Sequence, residues 1–230
     1  MSIPFRYVAR IGGYVLKQHL TGRKRYPLVL MMEPLFRCNL ACVGCGQIDY
    51  PDVWSAGGGP LLHKEMPEII EGIVARKKFA ILCTNALLLE KKIGQYKPSP
   101  YFTWSIHLDG DKEMHDHAVS QEGVYDRAVE ALKLAKSKGF RVTINCTFFD
   151  GAKADRIANF FDTVTALGVD GITVSPGYAY ERAPDQQHFL NRQRTKTLFR
   201  DVFRRGNGAR KWAFNQSGLF LDFLAGNQTY

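Results

Sequence analysis

The stretch Cys38-Asn39-Leu40-Ala41-Cys42-Val43-Gly44-Cys45 follows an apolar run, Leu28 to Met32, and places three thiols in one short loop at C-x3-C-x2-C spacing. Neither a strand nor a regular helix can aim all three at one centre, but a loop can wrap them around one. A metal site is therefore the leading reading. Structural zinc takes four protein ligands, usually as two separated pairs. Iron–sulfur clusters are held by cysteine thiolates, normally four of them. Three thiolates on a four-iron cluster would leave one iron open, and an open coordination position is what a catalytic metal centre keeps for its substrate. The spacing points first to a cluster; a zinc loop completed by a distant histidine, a disulfide and unrelated buried thiols stand as alternatives.

The rest of the composition narrows the setting. The chain has 230 residues, 45% hydrophobic and 23% charged, enough for one globular domain with a real core. Five cysteines, three of them in one loop, argue against a secreted disulfide framework and for a reducing, cytoplasmic setting. No apolar run is long enough to span a bilayer, and Met1 to Leu20 is broken by Arg6, Arg10 and Lys17, leaving no signal-peptide core.

The formal net charge of +9 is spread unevenly. Six Lys or Arg residues and no acid precede Glu33. Within Phe5 to Leu20, Phe5, Val8, Ile11, Val15 and Leu16 recur at helical spacing while Arg6, Arg10 and Lys17 gather on another side. Such a helix either lies on an anionic membrane surface at its inner, cytoplasmic face or docks on its own domain. A second basic segment, Arg192 to Lys211, opposes eight Lys or Arg residues to Asp201 alone. It reads as a solvated helical face rather than a nucleic-acid contact.

Between these basic segments, residues 27–190 alternate strand and helix patterns. Strands are expected at Pro27–Met32, Phe79–Cys83, Phe102–His107, Arg141–Thr147 and Gly171–Ser175, and helices at Lys64–Arg76, Leu87–Tyr96, Val124–Lys138 and Ala154–Leu167. Gly139 and Gly168 stand where C-terminal caps belong. This pattern predicts an α/β fold of βαβ units with a parallel sheet. Polar residues cluster where strands end: the cysteine loop, Cys83-Thr84-Asn85, then Ser105, His107 and Asp109, then Asn145 and Thr147, then Ser175 to Tyr178. Ligands of parallel α/β folds bind at the carboxyl ends of strands. One connection is too short: eleven residues separate Cys45 from Gly57, and a parallel crossover needs a dozen or more.

The cysteine loop, the Gly57-Gly58-Gly59-Pro60 turn and the strand-end residues resemble radical S-adenosylmethionine enzymes, whose core is a partial (β/α)6 barrel. The flanking text is similar to the hopanoid-biosynthesis branch of that family, the adenosylhopane synthases: Pro34 to Arg37, Leu82 to Lys92, His107 to Gly110 and Ser175 to Gln186. The resemblance covers nearly the whole chain. It implies a 4Fe–4S cluster on Cys38, Cys42 and Cys45, with the amino and carboxylate groups of S-adenosylmethionine on the fourth iron. Reduction by a donor such as flavodoxin or ferredoxin would release methionine and a 5′-deoxyadenosyl radical, which this branch adds to the alkene of the triterpene diploptene. Cys83 matches the cysteine that returns a hydrogen to the resulting carbon radical. The resemblance gives Gly57 and Gly58 to the cosubstrate's amino group, and Thr84, Asn85, Ser105 and Asn145 to its ribose or carboxylate. His107 and Asp109 read as structural polar groups. Phe148, Phe149, Tyr178 and Tyr180 are candidates for an apolar pocket.

The chain departs from the family pattern in one region and at its end. Gly59 stands where relatives carry a glutamate, and the short connection replaces a helix and a strand, so one βα unit is shortened, as an internal deletion near Asp52 to Trp54 would leave it. Relatives also continue beyond Leu221 to Gly226 into a cysteine-containing tail, where this chain stops at Tyr230. The expected layout is a basic segment 1–26, a core 27–190 and a basic extension 191–230. Weak cosubstrate binding is expected, and a non-catalytic zinc- or cluster-binding relative is the alternative.

Overall fold

The computed structural model describes residues 5–30, 40, 42, 59–179, 187–209 and 211–228. Helix α1 (Phe5–Leu20) leads, followed by α2 (Met66–Ala75), β1 (Ala80–Thr84), α3 (Leu89–Lys92), β2 (Phe102–His107), α4 (Lys112–Ala118), α5 (Val124–Ser137), β3 (Arg141–Phe148), α6 (Ala154–Ala166), β4 (Gly171–Pro176), α7 (Arg192–Arg205) and α8 (Gly218–Leu224). The strands form a wholly parallel sheet in the order β1-β2-β3-β4. Helical crossovers join them, and the α/β architecture is that of a partial barrel.

Register decides what faces what. Leu82 pairs with Trp104 and Trp104 with Val142, while Ile144 pairs with Ile172. These residues share one face with Phe102, Ile106, Cys146, Phe148 and Val174, all packed into the main core against the helices. Because successive side chains alternate across a strand, the other face carries Cys83, Ser105, Thr143 and Gly171 in one row. His107, Asn145 and Thr173 make the next row. The helix-facing side is apolar and aromatic; the inner side is hydroxyl, amide and imidazole.

Local chemistry sets the helix limits. After α5, the Gly139 N–H donates to the Lys136 carbonyl at 2.9 Å and Phe140 N–H to that of Ala135 at 3.1 Å. After α6, Gly168 and Val169 repeat the pattern with Thr165 and Val164. Both glycines are left-handed, at φ +80° and +78°, as this C-terminal cap requires. At the start of α4, the Asp111 carboxylate accepts from Met114 N–H at 3.1 Å and from the Arg156 guanidinium at 2.6 and 2.7 Å. The Arg156 hydrogen bonds hold that carboxyl below its ordinary range and tie α4 to α6.

Two expectations change. Residues 27–30 form no strand; Leu28, Val29 and Leu30 are exposed coil, and Met31 and Met32 lie outside the described residues. The helix expected over Leu87–Tyr96 is one turn of α3 and a 3₁₀ turn, Ile93–Gln95, ending where Tyr96 becomes extended. The basic segment after Arg192 is a solvated face as expected, with Arg194, Arg200, Arg204, Arg205 and Lys211 exposed, and several of its cations also have partners: Arg192 lies 3.8 Å over the Phe223 ring, Arg200 donates to the Ala225 carbonyl at 3.2 Å, and Lys211 pairs with Asp162 at 2.7 Å.

The C-terminal part extends the sheet. Ile172 N–H donates to the Ala213 carbonyl at 2.7 Å and Asn215 N–H to that of Ile172 at 2.8 Å. Two residues along, the Gln216 side chain takes over the pairing: its Oε1 accepts from Val174 N–H at 3.0 Å and its Nε2 donates to the Val174 carbonyl at 2.5 Å. Replacing Gln216 with Ala strands both backbone groups. Urea unfolding is expected to show a loss of about 1–3 kcal/mol with an unchanged denaturant slope.

Candidate active site

The end of β1 is built as a tight turn. Thr84 Oγ1 accepts from Ala86 N–H at 3.1 Å and Asn85 Oδ1 from Leu87 N–H at 3.2 Å, both local side-chain turns. Between them Ala86 is left-handed, at φ +65°, and almost wholly buried. A residue with a Cβ adopts that conformation only at a cost that surrounding structure must offset, and such sites cluster where function resides. The turn delivers Leu87 into a small apolar cluster with Val119 and Val124, against which Leu40 and Cys42 pack. The Leu87 carbonyl accepts from the Arg127 guanidinium at 3.1 Å.

Cys42 therefore sits beside the carboxyl end of β1, partly buried. Cys38, Cys45, Gly57 and Gly58 lie outside the described residues. A thiol held beside the turn that follows β1 is the donor type that an iron–sulfur group takes. Gly59 opens a 3₁₀ turn, Gly59–Leu62, at φ +60°. Glutamate would be strained in that conformation.

The predicted residues divide by strand parity. Cys83 is an exposed free thiol on the inner face, directly opposite Ser105 in register. Ser105 is buried and Asn145 half-buried on the same face. Thr84, one residue beyond Cys83, lies with Leu82 on the helix-facing side, and its hydroxyl is used within the turn. Phe148 likewise points into the helix layer, against Phe161 and Phe199, so it lines no pocket. Phe149 packs on His188 and Phe189, Tyr178 is exposed, and Tyr180 is outside the described residues. An open cleft of about 650 Å³ lies between α7 and α8 and includes none of the strand ends.

His107 and Asp109 belong to a buried network that includes a residue the sequence did not single out, His115 on α4. Asp109 Oδ1 accepts from Thr147 N–H at 2.7 Å, and its Oδ2 stands 2.8 Å from His107 Nε2, which donates. Burial works to lower the His107 pKa, but the Asp109 charge and hydrogen bond together leave it above the ordinary value. Asp109 N–H donates to His115 Nδ1 at 3.1 Å. The neutral His115 ring must then carry its hydrogen on Nε2, a buried atom without a hydrogen-bond partner among the described residues. Ligating atoms of His107, Asp109 and His115 lie within 4.8 Å of one another, yet a cation could use His115 only by displacing a proton or the Asp109 bond. The arrangement orients His107 at the mouth rather than forming a metal site.

The two imidazoles respond oppositely to pH. Burial, then the nearby His107, drives the His115 pKa down to about 4. Its neutral form contributes stability that is complete above its unfolded value near 6.5 and is lost as pH falls toward 4. The stability from His107 is complete below its unfolded value and fades as pH rises through the raised one. A His115→Gln variant keeps an acceptor for Asp109 N–H but does not titrate. Relative to it, the wild type is expected to lose roughly 3 kcal/mol between pH 7 and pH 4 in chemical unfolding.

A family model described as the Radical SAM superfamily matches residues 47–164, just over half of the chain. A model described as a domain of unknown function (DUF3463) matches residues 172–230. The Fe-coproporphyrin III synthase of Methanosarcina barkeri is 22% identical over 137 residues, 48% of this chain and 34% of its own length. GTP 3′,8-cyclase 1 of Mycobacterium tuberculosis is 26% identical over 121 residues, 50% of this chain and 34% of its own length. The chain spans about a third of the length of these curated relatives. Among solved structures, Streptococcus suis SuiB superposes with a TM-score of 0.73 at 16% identity, covering 98% of this chain and 57% of that one. That likeness is one of fold.

Proposed function

Because the chain belongs to the Radical SAM superfamily, whose members bind a 4Fe–4S cluster and S-adenosylmethionine, we propose that it is an adenosyl-transferring enzyme acting on diploptene to form adenosylhopane. The observation that carries this reading is the placement of Cys83: an exposed thiol on the inner face, at the end of a strand whose following turn touches the cysteine loop. The finer assignment, to hopanoid biosynthesis, rests on the resemblance of Leu82 to Lys92, His107 to Gly110 and Ser175 to Gln186.

In this reading Cys38, Cys42 and Cys45 hold the cluster. Bound together and reduced, the cluster and cosubstrate supply a 5′-deoxyadenosyl radical. Backbone around Gly57 and Gly58 takes the cosubstrate's amino group, and Asn85, Ser105 and Asn145 take its ribose or carboxylate, with Thr84 fixing the turn that aims Asn85. Cys83 gives its sulfur-bound hydrogen to the carbon radical left on the triterpene. The thiyl sulfur returns to a thiol with one electron from a flavodoxin- or ferredoxin-type donor and one proton. Over a cycle two electrons and one proton are consumed. Residues 27–190 carry the site, with the basic segments 1–26 and 191–230 flanking it, and a membrane hydrocarbon as substrate gives the first of these a peripheral role at a bilayer.

One observation favours a second reading, in which the substrate is polar. Apart from Ile81 and Cys83, the strand residues of the inner face carry hydroxyl, amide, guanidinium or imidazole groups or no side chain, and Phe148 is turned away from it.

Anaerobic reconstitution with iron and sulfide, chemical reduction and chromatography with and without diploptene distinguish the readings. Diploptene-dependent adenosylhopane is expected, and a Cys38→Ala, Cys42→Ala, Cys45→Ala variant should be colourless and inert. Cys83→Ala should still release 5′-deoxyadenosine while losing at least about tenfold in saturated product, a barrier difference of roughly 1.4 kcal/mol or more. Full adenosylhopane yield from Cys83→Ala would remove Cys83 from the mechanism. A reducible cluster that releases 5′-deoxyadenosine but leaves diploptene untouched would favour the polar-substrate reading.

A further inference from the structure

Helix α1 is attached by an unusual side. Tyr7 stacks on Phe79 with ring centroids 3.5 Å apart, and its hydroxyl stands 3.5 Å from that of Thr103 on the inner sheet face. Arg10 donates to the Lys77 carbonyl at 2.6 Å and lies over the Tyr101 ring. Tyr14 meets Tyr26 edge-on, and Gln18 is buried. At 100° per residue, Tyr7, Tyr14 and Gln18 form one stripe.

Val8, Phe5, Leu16 and Leu20 fall on a different, broad stripe, with Ile11 between it and the attached one, and solvent reaches all five. Phe5 is 82% exposed, Val8 54%, Ile11 49%, Leu16 58% and Leu20 76%. Beyond the helix, Leu28, Val29 and Leu30 are 60%, 79% and 80% exposed. A surface helix ordinarily buries its apolar stripe against the core. Here the aromatic and polar stripe packs inward, with Gln18 buried and Tyr7 and Tyr14 half-buried, and the apolar one faces outward. Contiguous exposed apolar surface marks an interaction site.

Charge selects the partner. Lys17, Arg23, Lys24 and Arg25 are exposed, and none makes an ion pair among the described residues. No acidic residue precedes Glu33. We propose that α1 and residues 21–30 form a docking surface for an anionic lipid bilayer, with Phe5, Val8, Ile11, Leu16 and Leu20 in the acyl boundary and the cations at the phosphate level. An in-plane helix needs both features, apolar area and basic flanks. A neutral apolar groove on another protein would use only the first. The proposal rests on this surface alone and is independent of the substrate assignment.

The test is flotation of the full chain with vesicles of phosphatidylcholine, alone or with equimolar phosphatidylglycerol. The chain is expected to float with the anionic vesicles only, and to be released by high salt. The Arg23→Gln, Lys24→Gln, Arg25→Gln variant should lose on the order of 100-fold in partitioning. The Phe5→Ser, Leu16→Ser, Leu20→Ser variant should lose binding at unchanged circular dichroism, since each side chain is exposed. No flotation with anionic vesicles, equal flotation with both lipids, or undiminished binding of either variant would overturn the proposal. A dimer in sedimentation that the serine variant abolishes, without flotation, would overturn it in favour of self-association.

Discussion

Four parallel strands with side chains alternating between two faces impose the constraint on which the other features rest. Leu82, Trp104, Val142 and Ile172 must go to the helices, and register then commits Cys83, Ser105, Thr143 and Gly171 to the opposite side. A shift of one residue in any strand would exchange the two sets, burying hydroxyls in an aromatic core and exposing Trp104. The aromatic packing of Phe102, Trp104, Tyr96 and Phe140 thus maintains the polar inner row as much as it maintains stability. Cys83 and Cys146 show the difference: both are strand cysteines, but the first is exposed on the inner face, whereas burial pushes the Cys146 thiol well above its ordinary value.

At the strand ends, order is maintained by polar groups rather than packing. Asp109 joins β2 to β3 by accepting Thr147 N–H, orients His107 with its other oxygen, and is itself fixed by His115 through its own N–H. A buried carboxylate accepting from a backbone N–H and an imidazole is stable because each of its oxygens has a donor. His115 Nε2, unpartnered among the described residues, is the cost of this arrangement. On the β1 side, Thr84 and Asn85 satisfy successive backbone N–H groups and hold Ala86 in a left-handed conformation.

Periodicity made most of the fold legible. The β2 limits, the start of α5 and the glycine caps at Gly139 and Gly168 follow from patterns whose physical basis is local. What was not legible depended on partners. The run Leu28-Val29-Leu30 has strand composition but no neighbouring strand among the described residues, so it remains exposed coil. His115 sits in Met114-His115-Asp116-His117, where two histidines look equivalent; only α4 packing buries the first and leaves the second exposed. Thr84 was within reach of simple parity counting, since it shares its face with Leu82 rather than with Cys83.

The two ends of the inner face are treated differently. At the amino ends of the strands Tyr7 reaches Thr103 and stacks on Phe79, so α1 closes that side with aromatic rings. At the carboxyl ends the Asp109 network and the turn after β1 define a rim without closing it. Among the described residues β1 lies at the edge of the sheet, and its inner residues Ile81 and Cys83 are exposed while Ser105 and Thr143, one and two strands inward, are buried. The exposed edge of the inner face thus carries an apolar side chain beside a thiol, and its interior carries buried hydroxyl groups.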